Sequence, residues 1–144
     1  MPRQPRHFKA NSFYHVYNRG NNKDPVLRAS SDKQLFISLL FKFKDICDIY
    51  LASYCIMDTH FHLIVRTGNN PKTLSKYMQR VTASFASQIN RKYQRVGHAF
   101  QDRFSSNLLP YKKDLRRATI YVRRNPVVDG LVKRPSEYPW NSRK

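Results

Sequence analysis

The sequence predicts an α+β fold: an antiparallel sheet with helices packed on it. Three observations predict it. Segments that alternate apolar and polar residues interleave with segments of helical period. Two of the alternating segments are separated by only a two-residue turn, which forces them antiparallel. The chain's 144 residues, 40% of them hydrophobic, suffice for one core without disulfides, so residues 1–144 read as a single domain.

"SFYHVYNRG" alternates aromatic and polar residues and breaks at Gly20, which predicts a first strand and then a basic loop. "SSDKQLFISLLFKFKDIC" opens with Ser31 and Gln34 at capping-box spacing. It continues with Leu35, Phe36, Leu39, Leu40, Phe43, Ile46 and Cys47 at helical period, a first helix. "IYLASYCIM" and "HFHLIVRT" are two strands joined into a hairpin at Asp58-Thr59. In "NNPKTLSKYMQRVTASFASQINRKYQ", Asn70 is the candidate N-cap and Pro71 the first helical residue. Leu74, Tyr77, Met78, Val81, Phe85 and Ile89 form its buried stripe, and Gly97 ends the region. "HAFQDRFSSNLLP" is a weaker extended segment stopped by Pro110. "KKDLRRATIYVRRNP" is a last helix, with Leu115, Ala118, Thr119 and Val122 facing inward and Pro126 ending it. Residues 1–11 read as a flexible basic arm, and residues 127–144 as an irregular tail anchored by Trp140.

Charge narrows the function. Against 9 Asp and Glu stand 27 Lys and Arg, a formal net charge of +18. A surface so basic repels itself unless a polyanion is a routine partner, and nucleic acid is the commonest one. An anionic membrane surface is disfavoured, because the cations are spread along the chain and not gathered on one amphipathic helix. The apolar run "IYLASYCIM" is too short to span a bilayer, and no apolar segment follows the basic N-terminus as in a secretory signal. Cys47 and Cys55 sit among apolar neighbours without CxxC spacing, as buried thiols of a cytoplasmic protein do.

One short motif carries chemistry. In "MDTHFHLIVRT", strand alternation points His60 and His62 to one face and Phe61 and Leu63 to the other. Two imidazoles on one face are a polar patch or half of a metal site, and a hard cation also demands an oxygen ligand from elsewhere. On the last helix Tyr121 and Asn125 lie four residues apart, on one face. By spacing alone, Tyr121 is equally a core or surface aromatic, and Asn125 before Pro126 equally a helix-ending residue.

Taken together the blocks are recognisable. "YHVYNRGNNK", "SYCIMDTHFHLIV", "LSKYMQRV", "GHAFQDRF" and "YVRRNPVVDGLV" with "PSEYPW" occur in that order over nearly the whole chain. The sequence resembles the single-tyrosine HUH transposases, in particular the REP-associated tyrosine transposases of bacteria. One departure is visible: Asp58-Thr59 stands where that family usually has Pro-Asn, which alters a turn and leaves the ligands in place. The resemblance implies a ferredoxin-like antiparallel sheet with helices packed on it. It makes His60 and His62 ligands of a divalent metal, Mg²⁺ or Mn²⁺, and Tyr121 a nucleophile that forms a 5′-phosphotyrosine. Asn125 falls where related insertion-sequence transposases place a polar metal ligand. The implied substrate is single-stranded DNA with palindromic hairpins, cleaved and rejoined in the bacterial cytoplasm at the nucleoid. A monomer is favoured, as in the REP-associated group, over the homodimer of insertion-sequence relatives.

For DNA contact, Tyr14, Asn18, Arg19 and Lys23 suit base stacking and phosphate binding. Arg80, Arg91, Lys92 and Arg95 form a diffuse phosphate-tracking face, Arg103 follows them, and Arg117 and Arg124 flank the tyrosine. The rival reading from another class is a domesticated protein that binds hairpins without chemistry. An RRM-type RNA binder would share the topology, but the chain has no "KGFGFV"-like stretch. A replication initiator or relaxase fits the short blocks poorly.

Overall fold

The computed structural model describes residues 6–21, 24–100 and 102–142. The elements are β1 (Phe13–Arg19), α1 (Ser30–Ile46), β2 (Ile49–Ile56), β3 (His60–Thr67), α2 (Thr73–Tyr93), β4 (Ser105–Leu109) and α3 (Lys112–Val128). The four strands form one sheet in the order β2-β3-β1-β4, with every neighbouring pair antiparallel. That order, with two β-α-β halves, is the ferredoxin-like arrangement. Among the described residues no helix is long and apolar enough to cross a membrane.

The sheet divides the molecule into two apolar layers. On one face Phe61, Leu63 and Val65 of β3 join Phe36 and Leu40 of α1 and the stripe Leu74, Tyr77, Met78, Val81, Phe85 and Ile89 of α2. This stripe is the one the helical period predicts, and it is buried throughout. Phe36, Phe85 and Phe100 meet edge-on or tilted within about 6 Å, the geometry aromatic quadrupoles favour. On the opposite face a smaller cluster of Cys55, Met57, Ile64, Val122 and Tyr138 seats α3. Both cysteines are free and buried, one in each layer.

Several local expectations are corrected. Helix α1 starts at Ser30 behind Ala29, which has no side-chain acceptor to cap it, so Ser31 lies inside the first turn, where its hydroxyl accepts from Lys92 Nζ at 2.9 Å. Regular α2 starts at Thr73, although the Asn70 carboxamide does accept the Lys72 N–H at 3.1 Å, as a cap would. It ends at Gln94 in the left-handed region, φ 53°, before Gly97 is reached. Pro126 does not end α3, which runs to Val128 with the proline inside it. Proline forfeits one N–H and crowds the Val122 carbonyl one turn back, a cost set near the helix end and offset by burial of Val122 and Pro126.

The described residues of the arm and the tail make specific contacts with the sheet. Phe8 packs edge-on against Tyr14 at 5.2 Å, and the Lys9 N–H donates to the Tyr14 hydroxyl at 2.7 Å. The tail docks on β2: Ile56 N–H donates to Trp140 C=O at 2.9 Å, Ser142 N–H to Tyr54 C=O at 2.9 Å, and Tyr138 Oη to Ile56 C=O at 2.7 Å. These bonds satisfy edge-strand groups that would otherwise invite pairing with another chain.

Truncating Phe85, fully buried between two other aromatic rings, removes the centre of the larger layer. Phe85→Ala is expected to lower unfolding free energy by about 3–5 kcal/mol, read as a reduced urea midpoint at unchanged slope.

Candidate active site

The site grows from strand register. In β1, Phe13, His15, Tyr17 and Arg19 share the α3 face; in β3, His60, His62 and Ile64 share it. Tyr17 pairs with His62, His15 with Ile64 and Arg19 with His60. His15 is thus a diagonal cross-strand neighbour of His62, and the rings bond, His15 Nε2 to His62 Nδ1 at 3.0 Å. On the far side of β1, Asn107 of β4 pairs with His15. Above this floor α3 leaves a hollow of about 470 Å³ lined by His15, Tyr17, His62, Asn107, Arg117, Ala118 and Tyr121.

The phenol and the imidazoles meet within one chain. The Tyr121 ring stands edge-on to His62 at 5.5 Å and to His15 at 5.8 Å, and the His60 ring lies 5.2 Å from that of His62. Tyr121 is 56% exposed, open to solvent at the rim of the hollow. Asn125, one turn on, lies near enough to His60 to act on its charge, while its Nδ2 donates to Tyr121 C=O at 3.0 Å. All four residues expected to carry chemistry, His60, His62, Tyr121 and Asn125, therefore converge.

The donor set fits a divalent cation. His62 Nδ1 is engaged by His15, and His60 Nδ1 by Thr59 Oγ1 at 3.0 Å. Each ring is therefore held through Nδ1 and leaves Nε2 unengaged, as a second partner orients the ring of a ligating histidine. Burial first, then the neighbouring His15 and His60, pushes the His62 pKa down to about 3. Burial also lowers His15, and it lowers His60 against the opposing influence of Asp129 and Asn125. All three rings are thus held neutral at physiological pH, the form that binds metal. Among the described residues no group of three or more His, Cys, Asp or Glu side chains forms a metal cage. A cation here would rest on two imidazoles and an amide oxygen and complete its shell with oxygens from outside the protein.

The residues expected to touch DNA are dispersed. Arg117 lines the hollow, Arg124 is exposed on the same helix, and Arg19 ends β1 close enough to His60 to influence its charge. Tyr14 is corrected: at 5% exposure, with its hydroxyl used by Lys9, it belongs to the core and has no face for a base. Asn18 Nδ2 is committed to Asp102 C=O at 2.8 Å and braces a loop. Arg95 pairs with Asp24. Arg80 and Arg91 are exposed on α2, across the sheet from Tyr121, and Arg103 is exposed beside β4. Lys23 lies outside the described residues. Reading the sequence missed His15, Tyr17, Thr59 and Asn107. Alternation in "FYHVYNR" was the available signal for the first two, but it does not say which histidine they meet.

The profile Transposase IS200 like matches residues 9–125 of the chain. Two solved structures are similar. One is a REP-associated tyrosine transposase bound to a REP hairpin, at 19% identity and TM-score 0.79, aligned over 98% of this chain and 82% of the other. The second is a Deinococcus radiodurans R1 protein assigned as a transposase, at 10% identity and TM-score 0.57, over 90% of this chain and 98% of that one. No curated protein matches in sequence.

Because His15, His60 and His62 have lowered pKa values, the unfolded chain binds more protons than the folded one below about pH 6.5. Stability should be flat above that pH and fall below it, by up to about 1.4 kcal/mol per pH unit for each ring that stays neutral. Thermal melts between pH 7.5 and 5 should show this loss, and His62→Gln should show less of it; identical pH slopes would contradict the assignment.

Proposed function

The chain belongs to the IS200-like transposase family, and on that premise we propose that it is a metal-dependent transposase of the REP-associated tyrosine group. It cleaves and rejoins single-stranded DNA beside palindromic hairpins through a covalent 5′-phosphotyrosine. One observation carries the reading: Tyr121 of α3 stands edge-on to His62 in the same chain, with Asn125 at His60. The likeness to a transposase bound to a REP hairpin supports a hairpin as substrate.

The chemistry follows from these groups. The Tyr121 phenolic oxygen attacks the scissile phosphorus in line with the P–O3′ bond. That bond breaks as the new one forms: the phenol gives up a proton, the leaving O3′ gains one, and the 5′ phosphate stays on the tyrosine. One phosphodiester replaces another, so rejoining to a second 3′-hydroxyl needs no ATP. Arg117, at the rim of the hollow, meets the phosphate charge. His15 and Thr59, bonded to the two Nδ1 atoms, orient the ligand rings so that Nε2 is left for a ligand. When bound by His60, His62 and Asn125, Mg²⁺ or Mn²⁺ supplies Lewis-acid polarisation of a non-bridging phosphate oxygen. Because nucleophile and ligands come from one chain, a monomer suffices. Action on chromosomal repeats puts the protein at the bacterial nucleoid.

The test is a denaturing gel after incubation with single-stranded hairpin DNA and Mg²⁺ or Mn²⁺. A covalent adduct should form and disappear with Tyr121→Phe or with chelator. Asn125→Ala should require about tenfold more metal, and Arg117→Ala should slow cleavage by roughly 10²-fold. Tight hairpin binding without any adduct would instead identify a binding protein.

A further inference from the structure

The hairpin that presents His60 has a link of only two residues, Asp58 and Thr59, closed by Met57 N–H to His60 C=O at 2.8 Å. Two-residue hairpin links that match strand twist use positive φ at one or both positions. Among the described residues the only non-glycine positions with positive φ are Asn11, Asp48 and Gln94, so this link has neither favoured form. Left to itself such a link splays its strands.

Neighbouring segments hold it from outside. Gly20 N–H donates to Thr59 C=O at 2.7 Å and Leu27 N–H to Asp58 C=O at 3.0 Å. The strongest hold comes from α1: Lys33 Nζ donates to Asp58 Oδ1 at 2.6 Å and to Arg28 C=O at 2.8 Å. Lys33 is 4% exposed, and lysine is rarely buried so fully without a partner. Its ammonium ties the turn to the loop before α1. The next side chain along, Thr59, places its hydroxyl 3.0 Å from His60 Nδ1. His62 differs: it sits inside the strand, held by His15, and owes nothing to the turn.

We propose that Lys33 is a positioning residue for His60, acting through Asp58: it clamps the Asp58-Thr59 turn so that the Thr59 hydroxyl holds the His60 ring in the tautomer that offers Nε2 to a divalent cation. The metal role of His60 is the one argued under Proposed function. Asp58-Thr59, the departure noted in the sequence, is then functional in this chain because α1 supplies the missing stiffness.

The test uses the full chain carrying Lys33→Met, with two readouts. In the metal-free protein, nitrogen NMR of the imidazoles should show His60 losing its single Nδ1–H tautomer while His62, the internal control, is unchanged. Mn²⁺ titration by electron paramagnetic resonance should show affinity weakened about tenfold or more, the size of effect seen when a partner of a metal ligand is removed, with hairpin binding retained. A folded Lys33→Met protein with wild-type His60 signals and wild-type Mn²⁺ affinity overturns the proposal. If wild type itself binds no Mn²⁺, the metal reading fails and the His60 tautomer alone decides the clamp. If Lys33→Met does not fold, Asp58→Ala, altered at a half-exposed side chain, decides it by the same measurements.

Discussion

Strand β3 must satisfy two different environments at once, and the rest of the molecule is arranged around that demand. It lies between β1 and β2, so both its edges are paired. One set of its side chains, Phe61, Leu63 and Val65, is fully buried against α1 and α2. The other set begins with two imidazoles and ends in Ile64 and Arg66. A shift of one residue would place His60 and His62 in the aromatic core and Phe61 in the hollow. The larger apolar layer therefore fixes the register that the site needs. Packing on one face is the cause of chemistry on the other.

Helix α3 covers the second face only in part. Val122 is buried over Ile64, while Tyr121, its neighbour in sequence, is turned out over the histidines. A helix that sealed this face would gain apolar contact and close the hollow beside Tyr121. The helix stays anchored by Val122, by Pro126 and by the tail docked beside it, where Asn141 Nδ2 donates to Arg123 C=O at 3.0 Å. Persistence of the helix past Pro126 matters, because Asn125 would leave the face it shares with Tyr121 if the chain unwound there. The hydrogen bond from the Asn125 side chain to Tyr121 C=O joins the two residues directly.

Positive charge is distributed on a different principle. Arg117 and Arg124 share a helix with Tyr121, whereas Arg80 and Arg91 lie behind the sheet on α2. Exposed arginines on both sides suit a polyanion that is larger than the hollow and extends round the molecule. Several cations are already used inside the protein. Lys33 braces the turn, Lys92 pairs with the buried Asp32 at 2.8 Å, and Arg95 pairs with Asp24. Net charge thus overstates the number of groups free to meet phosphate.

The sequence by itself determined the succession of elements, the α2 stripe and the shared face of His60 and His62, because periodicity is a local property of the chain. It also carried the residues that meet at the site, through their motifs. Local pattern failed wherever a partner distant in sequence intervened. Ser31 lies inside the first turn and meets Lys92, Tyr14 packs in the core with Phe8 and its hydroxyl on Lys9, and Pro126 stays within the helix, buried. In β2 a bulge between Leu51 and Ser53 changes which residues face the core, so simple alternation misplaces one half of that strand. Only the tertiary structure decided that His15 meets His62, that Lys33 reaches Asp58 and that Tyr121 comes down over both histidines. Each of these contacts joins segments from 25 to 106 residues apart. Strand order and helix placement create them, and no local spacing encodes either.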